Sequence, residues 1–446
     1  MNFGATDRQV VSAHSPPFEI SKEDTPNKGP KLLLLAWRFP PAIGVSCVRT
    51  WNIAKYLARL GWNVTVVTPH PSVWRRVENY ERVVADVNRE GLRSILTGHG
   101  WRCLLPENLT WRNQGLRWLA GGLCRRIASH GSVDNGIGWF KPTLRACSTL
   151  TSVDVDLILA TGAPFIAFRL ANHLSHRLGR PYVLDYRDPW TANPHQARLV
   201  RPATIREEMT LLAGCSAVTI VSRSWALALD QRFNLGSKLH VVTNGYDPEE
   251  LANAEPHDFG HFAIVYTGNF YPPKRVISPV MAALRNLKAI VNQKNGEWYF
   301  HYYGENAKHV REEAERFDVI ERVVLHGSIP RADVLSAVRG AGVAVVIASV
   351  SDEARLEDTG IVTGKIFEPL GLGTPILLIA PPGSDAAELV EETKMGRRVA
   401  GTDIEGITHF FLEMMVAKHH AGICTGRYSW PLLASQLDEI LRNILT

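Results

Sequence analysis

Three strand-to-loop junctions hold residue types that could do chemistry. In Thr267-Gly268-Asn269-Phe270-Tyr271-Pro272-Pro273-Lys274-Arg275, a glycine follows an apolar run and lets a ligand approach the backbone. Lys274 and Arg275 come just before a helical period, and two cations at a helix start suit a diphosphate. In Thr363-Gly364-Lys365-Ile366-Phe367-Glu368, a carboxylate stands in an otherwise apolar helix start. A carboxylate repels phosphate but accepts hydrogen bonds from a ribose diol. In Asp185-Tyr186-Arg187-Asp188-Pro189-Trp190, a charged pair ends a strand, Pro189 stops it, and Trp190 adds a flat apolar face. Each junction also has a plainer reading: a solvated turn, a glutamate favouring the helix dipole, and a surface ion pair.

Other chemistries lack their residues. There is no H-E-x-x-H, no G-x-S-x-G and no P-loop. Gly360-Ile361-Val362-Thr363-Gly364-Lys365 has three residues between its glycines instead of four, and Ile366 follows the lysine where a hydroxyl should meet Mg²⁺. The six Cys form no C-x-x-C pair and fit no zinc spacing. His419-His420 reads as a solvated pair. No metal and no cofactor are expected.

The elements that position these junctions repeat one rhythm. Lys31 to Ala36 is a continuous apolar run, the signature of a parallel strand buried on both faces. A helix follows over Arg49–Leu60, stopped by Gly61, and a second strand over Asn63–Thr68 completes a βαβ unit. After an irregular, Trp-rich stretch from Pro71 to Leu150, strands are expected at 157–160, 182–185, 217–221 and 239–242, separated by helices. A second series starts at Phe262–Tyr266, with further strands at 298–302, 323–325, 343–347 and 375–380. Alternating strands and helices predict an α/β protein with two Rossmann-like domains facing a central cleft. The domains expected are a tail at 1–30, a first domain at 31–245, a second at 246–428, and a C-terminal helix at 429–446 that could cross back.

The 446 residues are 45% hydrophobic and 21% charged, ordinary globular usage that excludes a disordered or fibrous chain. No run is long enough to span a membrane, and residues 1–30 lack an apolar signal core, so a cytoplasmic protein is expected. Residues 1–200 hold 25 Lys and Arg against 14 Asp and Glu, while the rest of the chain nets −6 within an overall +5. That asymmetry suggests two domains with different partners. No compact basic run or helix-turn-helix pattern favours nucleic acid.

In order and spacing, the chain from 31 to 445 resembles GT-B glycosyltransferases of family 4, of the bacterial polysaccharide and O-antigen type. The segments that carry the resemblance are Phe39-Pro40-Pro41-Ala42-Ile43-Gly44 with Arg49, Tyr186 to Trp190, Thr243-Asn244-Gly245-Tyr246-Asp247, Tyr266-Thr267-Gly268-Asn269, Gly327-Ser328-Ile329-Pro330, and Lys365 to Pro375. The resemblance implies a retaining, metal-independent transfer of a hexose from a UDP- or GDP-sugar to a lipid-linked or polysaccharide acceptor. On the donor side it implies Gly268 and Lys274 on the diphosphate, Ile329 near the base and Glu368 on the ribose, with Asn269, Arg275, Gly360, Thr363 and Lys365 as further donor-binding residues. Lys274, Arg187 and Asp188 would be catalytic, and Gly44, Arg49 and Trp190 would line the acceptor side of the cleft. Two departures stand out: Asn269 replaces an arginine that many relatives carry, and Gly360 stands where the first of two paired glutamates belongs, with Glu357 and Asp358 nearby. The alternatives are a sugar-nucleotide 2-epimerase and a degenerate scaffold that only binds nucleotide.

Between Trp101 and Arg126, Leu116, Leu119, Ala120 and Leu123 recur at helical spacing among tryptophans and arginines. That pattern predicts peripheral docking on the anionic inner face of the plasma membrane.

Overall fold

The computed structural model describes residues 29–42, 45–74, 80–98, 136–193, 200–291, 297–351, 355–417 and 426–446. The expected tail up to residue 28, Gly44, and the amphipathic stretch from Trp101 to Arg126 lie outside the described residues.

The first sheet comprises β1 (Lys31–Ala36), β2 (Asn63–Pro69), β3 (Arg93–Thr97), β4 (Leu157–Gly162), β5 (Tyr182–Tyr186), β6 (Ala217–Ile220) and β7 (Leu239–Val241). Their order is β3-β2-β1-β4-β5-β6-β7, and every pairing is parallel. The second comprises β8 (Phe262–Thr267), β9 (Trp298–Tyr303), β10 (Val323–Gly327), β11 (Val343–Ile347), β12 (Ile376–Ile379) and β13 (Gly396–Val399). It is also wholly parallel, ordered β10-β9-β8-β11-β12-β13.

Central strands are apolar along their whole length because helices cover both faces. In β1, Leu33 and Leu35 join one buried cluster while Leu32 and Leu34 join another on the opposite face. β4 divides the same way, with Ile158 and Ala160 on one face and Leu157 and Leu159 on the other. The expected strands are all present. β3 and β13 were not anticipated, because edge strands are only half covered and tolerate polar residues such as Arg93, Arg397 and Arg398.

The chain crosses between the sheets twice. At the first crossing, the Tyr246 amide donates to the Tyr428 carbonyl at 3.0 Å, and the Trp430 amide of the second donates to the Tyr246 carbonyl at 2.9 Å. Gly245 permits this approach, since a Cβ there would overlap the Tyr428 carbonyl oxygen. The final helix, Trp430–Leu445, then lies on the first sheet's side, burying Trp430, Leu433, Leu437 and Leu441 among Leu34, Ile53 and Leu57. Arg442 and Trp62 tie it down, donating to the Leu60 carbonyl at 2.9 Å and to Asp438 at 2.6 Å.

The carboxyl ends of the two sheets face each other. The helix Arg223–Phe233 opens directly after β6, and its Ser224 amide and hydroxyl donate to Asp385, beyond β12, at 2.9 and 2.7 Å. One apolar cluster runs through this junction from Trp225 and Tyr246 to Ile361, Ile366 and Leu370.

Candidate active site

At the end of β8 the backbone turns at Gly268 with φ of 100°. A side chain is excluded there by that conformation and by space, because a Cβ would overlap Nζ and Cε of Lys365. The turn is pinned from beneath: its amide donates to the Tyr303 carbonyl at 2.6 Å, and its carbonyl accepts from the Tyr302 hydroxyl at 3.0 Å. Asn269 serves the same end, its side-chain oxygen accepting from the Glu305 amide at 3.3 Å. Beyond it, Tyr271 and Arg275 exchange backbone hydrogen bonds of 2.9 and 3.0 Å, and the Val350 amide holds the Lys274 carbonyl at 2.7 Å. The loop is thereby fixed against the end of β11.

The charges on this loop do not all face the same partner. Lys274, expected on the diphosphate, forms an ion pair with Asp358, a carboxylate 4% exposed. Arg275 is 8% exposed, and its Nε has no hydrogen-bond partner. Lys365 Nζ is buried without a partner as well, 5.3 Å from the centre of the Tyr266 ring, and the Tyr266 hydroxyl is a third unsatisfied group. Burial lowers the Lys365 ammonium to about 7, Arg275 pushes the same way, and Glu368 opposes them. Leaving buried donors unsatisfied costs about 1–3 kcal/mol each. Two unsatisfied nitrogens of basic side chains beside a side-chain-free turn form a site that an anion would complete.

Glu368 lies in the first turn of the short helix Phe367–Leu372, directly after the turn that carries Lys365. It accepts from Arg331 at 2.6 Å, and Arg331 also grips Glu250 at 2.5 and 3.0 Å. Arg331 was not anticipated; the available signal was its place directly after Ser328-Ile329-Pro330, opening a helix. Ile329 is partly buried against the cluster containing Ala263 and Val265. Gly360 packs so closely on Trp225 that a Cβ would overlap the indole. Thr363 is half-buried, its carbonyl receiving the Ile366 amide at 3.2 Å. Gly268, Arg275, Lys365 and Glu368 are therefore gathered at one turn, while Asn269 and Lys274 support it.

Across the cleft, two expectations change. Arg49, expected on the acceptor side, is 2% exposed and wholly engaged within its own domain. It donates to both Asp185 oxygens at 2.6 and 3.0 Å and to Val242, Thr243 and Asn244 at 3.1, 2.9 and 3.2 Å. Trp190 offers no flat face to the cleft: it is 5% exposed and stacks on Phe165, centroids 4.9 Å apart. Arg187 donates through Nε to the Gly162 carbonyl at 2.8 Å and through a terminal nitrogen to Ala163, which orders the end of β4. Asp188 beside it is half-buried. Beneath this segment lies Glu208, unforeseen and fully buried, accepting from Tyr186 at 3.1 Å and from the Thr191 hydroxyl at 2.5 Å. Burial raises its carboxyl, against the hydrogen bonds from Thr191 and Tyr186.

Among the described residues no group of His, Cys, Asp and Glu could hold a metal ion. Asp154-Val155-Asp156 spells a metal-binding pair, yet it sits before β4, at the other end of the sheet, where its carboxylates accept from Thr151 and from the Lys31 amide at 2.8 Å.

Residues 48–250 match the model of Glycosyltransferase Family 4. No curated protein sequence matches the chain significantly. Among solved structures, sucrose-phosphate synthase from Thermosynechococcus elongatus is 15% identical with a TM-score of 0.63, covering 93% of this chain and 99% of its own. HepE from Anabaena in complex with UDP and glucose is 14% identical at 0.56, with the same coverage. A TarM variant from S. aureus in complex with Fondaparinux, alpha-GlcNAc-glycerol and UDP is 10% identical at 0.59, covering 94% of this chain and 100% of its own. With two parallel sheets meeting at their carboxyl ends and neighbours that span the whole chain, the protein has the GT-B fold, and its first domain is similar to Glycosyltransferase Family 4.

Proposed function

We propose that the protein transfers a hexose from a nucleoside-diphosphate sugar, held by the second domain, to an acceptor presented by the first. The observation that carries this reading is the pair of basic side chains with buried, unsatisfied nitrogens, Arg275 and Lys365, at the glycine turn after β8. An intact diphosphate would satisfy both, and Glu368, at the start of the next helix, is suited to a ribose diol. During transfer the bond from the anomeric carbon to the β-phosphate oxygen breaks and a bond to the acceptor oxygen forms, the acceptor hydroxyl losing its proton. Charge accumulates on the departing diphosphate, where prearranged cations stabilise it most. Such neutralisation by side chains supports a metal-independent reaction. The complexes of Anabaena HepE with UDP and with UDP-glucose favour a uridine donor over a guanosine one. Retention of anomeric configuration and a lipid-linked or polysaccharide acceptor of the cell surface complete the proposal.

The test is incubation with UDP- and GDP-sugars alongside lipid-linked and polysaccharide acceptors. Release of free nucleoside diphosphate together with an extended glycan is expected, strongest with one UDP-sugar. Formation of an epimerised sugar nucleotide, or no product with any donor, would contradict it.

A further inference from the structure

We propose that Lys365 couples donor binding to proton uptake above neutral pH, standing there as a neutral amine in the empty site and as an ammonium on the diphosphate. This rests on the reading of the β8 turn as the donor site. The geometry leaves little room for a charge when nothing is bound. Nζ is buried, makes no hydrogen bond, and is wedged against the Gly268 turn and the face of Tyr266. An isolated ammonium withdrawn from water is disfavoured unless a counter-charge meets it.

The groups around it do not supply one. On the loop after β8, Arg275 is a like charge, and Lys274 is a second cation already paired with Asp358 from the neighbouring helix Leu356–Thr359. On the helix that follows the lysine, Glu368 is a counter-charge already shared with Arg331, which in turn holds Glu250. Tyr266, on β8, has its phenol raised by burial and stays neutral. Hence the lowered value of about 7, far from an ordinary lysine. A diphosphate would bring the missing negative charge, and Nζ would then take one proton from solvent and donate to a phosphate oxygen.

The consequence is a donor affinity that falls as pH rises. Below pH 7 the empty site already holds the proton; above it, each further pH unit approaches a tenfold loss of affinity. Two histidines pack on rings of the same domain, His309 against Phe270 and His326 on Tyr303.

Calorimetric titration of the full-length protein separates the possibilities. The probes are intact UDP-glucose, UDP-galactose, UDP-N-acetylglucosamine and GDP-mannose, whose diphosphates do not titrate near neutrality, in buffers of different ionisation enthalpy. The expected result is binding with uptake of close to one proton per site at pH 8 and close to none at pH 6. Lys365→Arg, which stays charged, should bind with no uptake at either pH and with an affinity insensitive to pH. Lys365→Met should weaken binding at least tenfold. Wild-type binding without buffer-dependent heat, or uptake that persists in Lys365→Arg, would overturn the coupling while leaving the donor site standing. No binding of any of the four probes would overturn the donor site, and the coupling with it.

Discussion

Lys365 is the residue on which site chemistry and stability meet. Its folded-state value lies below its unfolded one, so between about pH 7 and 10.5 the unfolded chain holds more protons than the native one. Native stability therefore rises with pH across that window, and the full cost of burying this group is present below it. Lys365→Met should stabilise the unliganded protein by about 1–3 kcal/mol at pH 7, the scale of removing a buried unsatisfied polar group. The gain should shrink toward pH 10. Thermal melts of both proteins at pH 6, 7, 8 and 9.5 check this; a variant less stable than wild type at pH 7 would show that Lys365 is a structural lysine. A binding group that weakens the empty fold is the usual trade between function and stability. The residue types at this turn were legible from their spacing, since a glycine after a buried strand and a carboxylate in an apolar helix start are local features. Partner choice was not. Lys274 finds Asp358 from 84 positions away, which leaves Arg275 and Lys365 as the unsatisfied cationic side chains.

At the scale of elements, the helix Val45–Arg59 shows how a polar residue can serve the frame and not the site. Arg49 reaches β5 through Asp185 and the first crossing through Val242, Thr243 and Asn244. Burial pushes the Asp185 carboxyl up, but Arg49 beside it and a 2.8 Å hydrogen bond from Thr219 hold it below the ordinary range. Its contribution is therefore present above the unfolded aspartate value and is lost as pH falls through the folded one. Arg49→Leu should destabilise the fold by about 3–5 kcal/mol at pH 7, because it leaves a buried carboxylate alone. Adding Asp185→Leu should recover much of that loss. Urea unfolding of the single and double variants measures both, and a single variant within 1 kcal/mol of wild type would contradict a buried pair of this importance. In the sequence, the family resemblance of the segment that Arg49 follows places it at the cleft; its depth in the core depends on strands 136 and more residues away. The central strands could be read because parallel strands are apolar throughout, whereas β3 and β13, at the sheet edges, carry arginines and lack that signature.

At the scale of the whole molecule, the two sheets are joined by a pair of crossings hydrogen-bonded to each other and by a helix that returns to the first domain. Lys55 and Tyr56 clamp Asp247 at 2.8 Å each, so the first crossing is fixed to the first domain where the second begins. Near the cleft the domains also meet through Ser224 with Asp385, Arg223 with Glu388 at 3.6 Å, and Trp225 on Gly360. Among the described residues no helix is long and apolar enough to cross a membrane. The most direct test of the central claim, that the donor's diphosphate sits on Arg275 and Lys365, is a crystal structure of the full-length protein with UDP bound. The expected result is a diphosphate at the Gly268 turn, with phosphate oxygens within hydrogen-bond distance of Lys365 Nζ and the Arg275 guanidinium, and Lys274 still on Asp358. A diphosphate bound away from that turn, or held by Lys274 while Lys365 stays buried and unsatisfied, would contradict it.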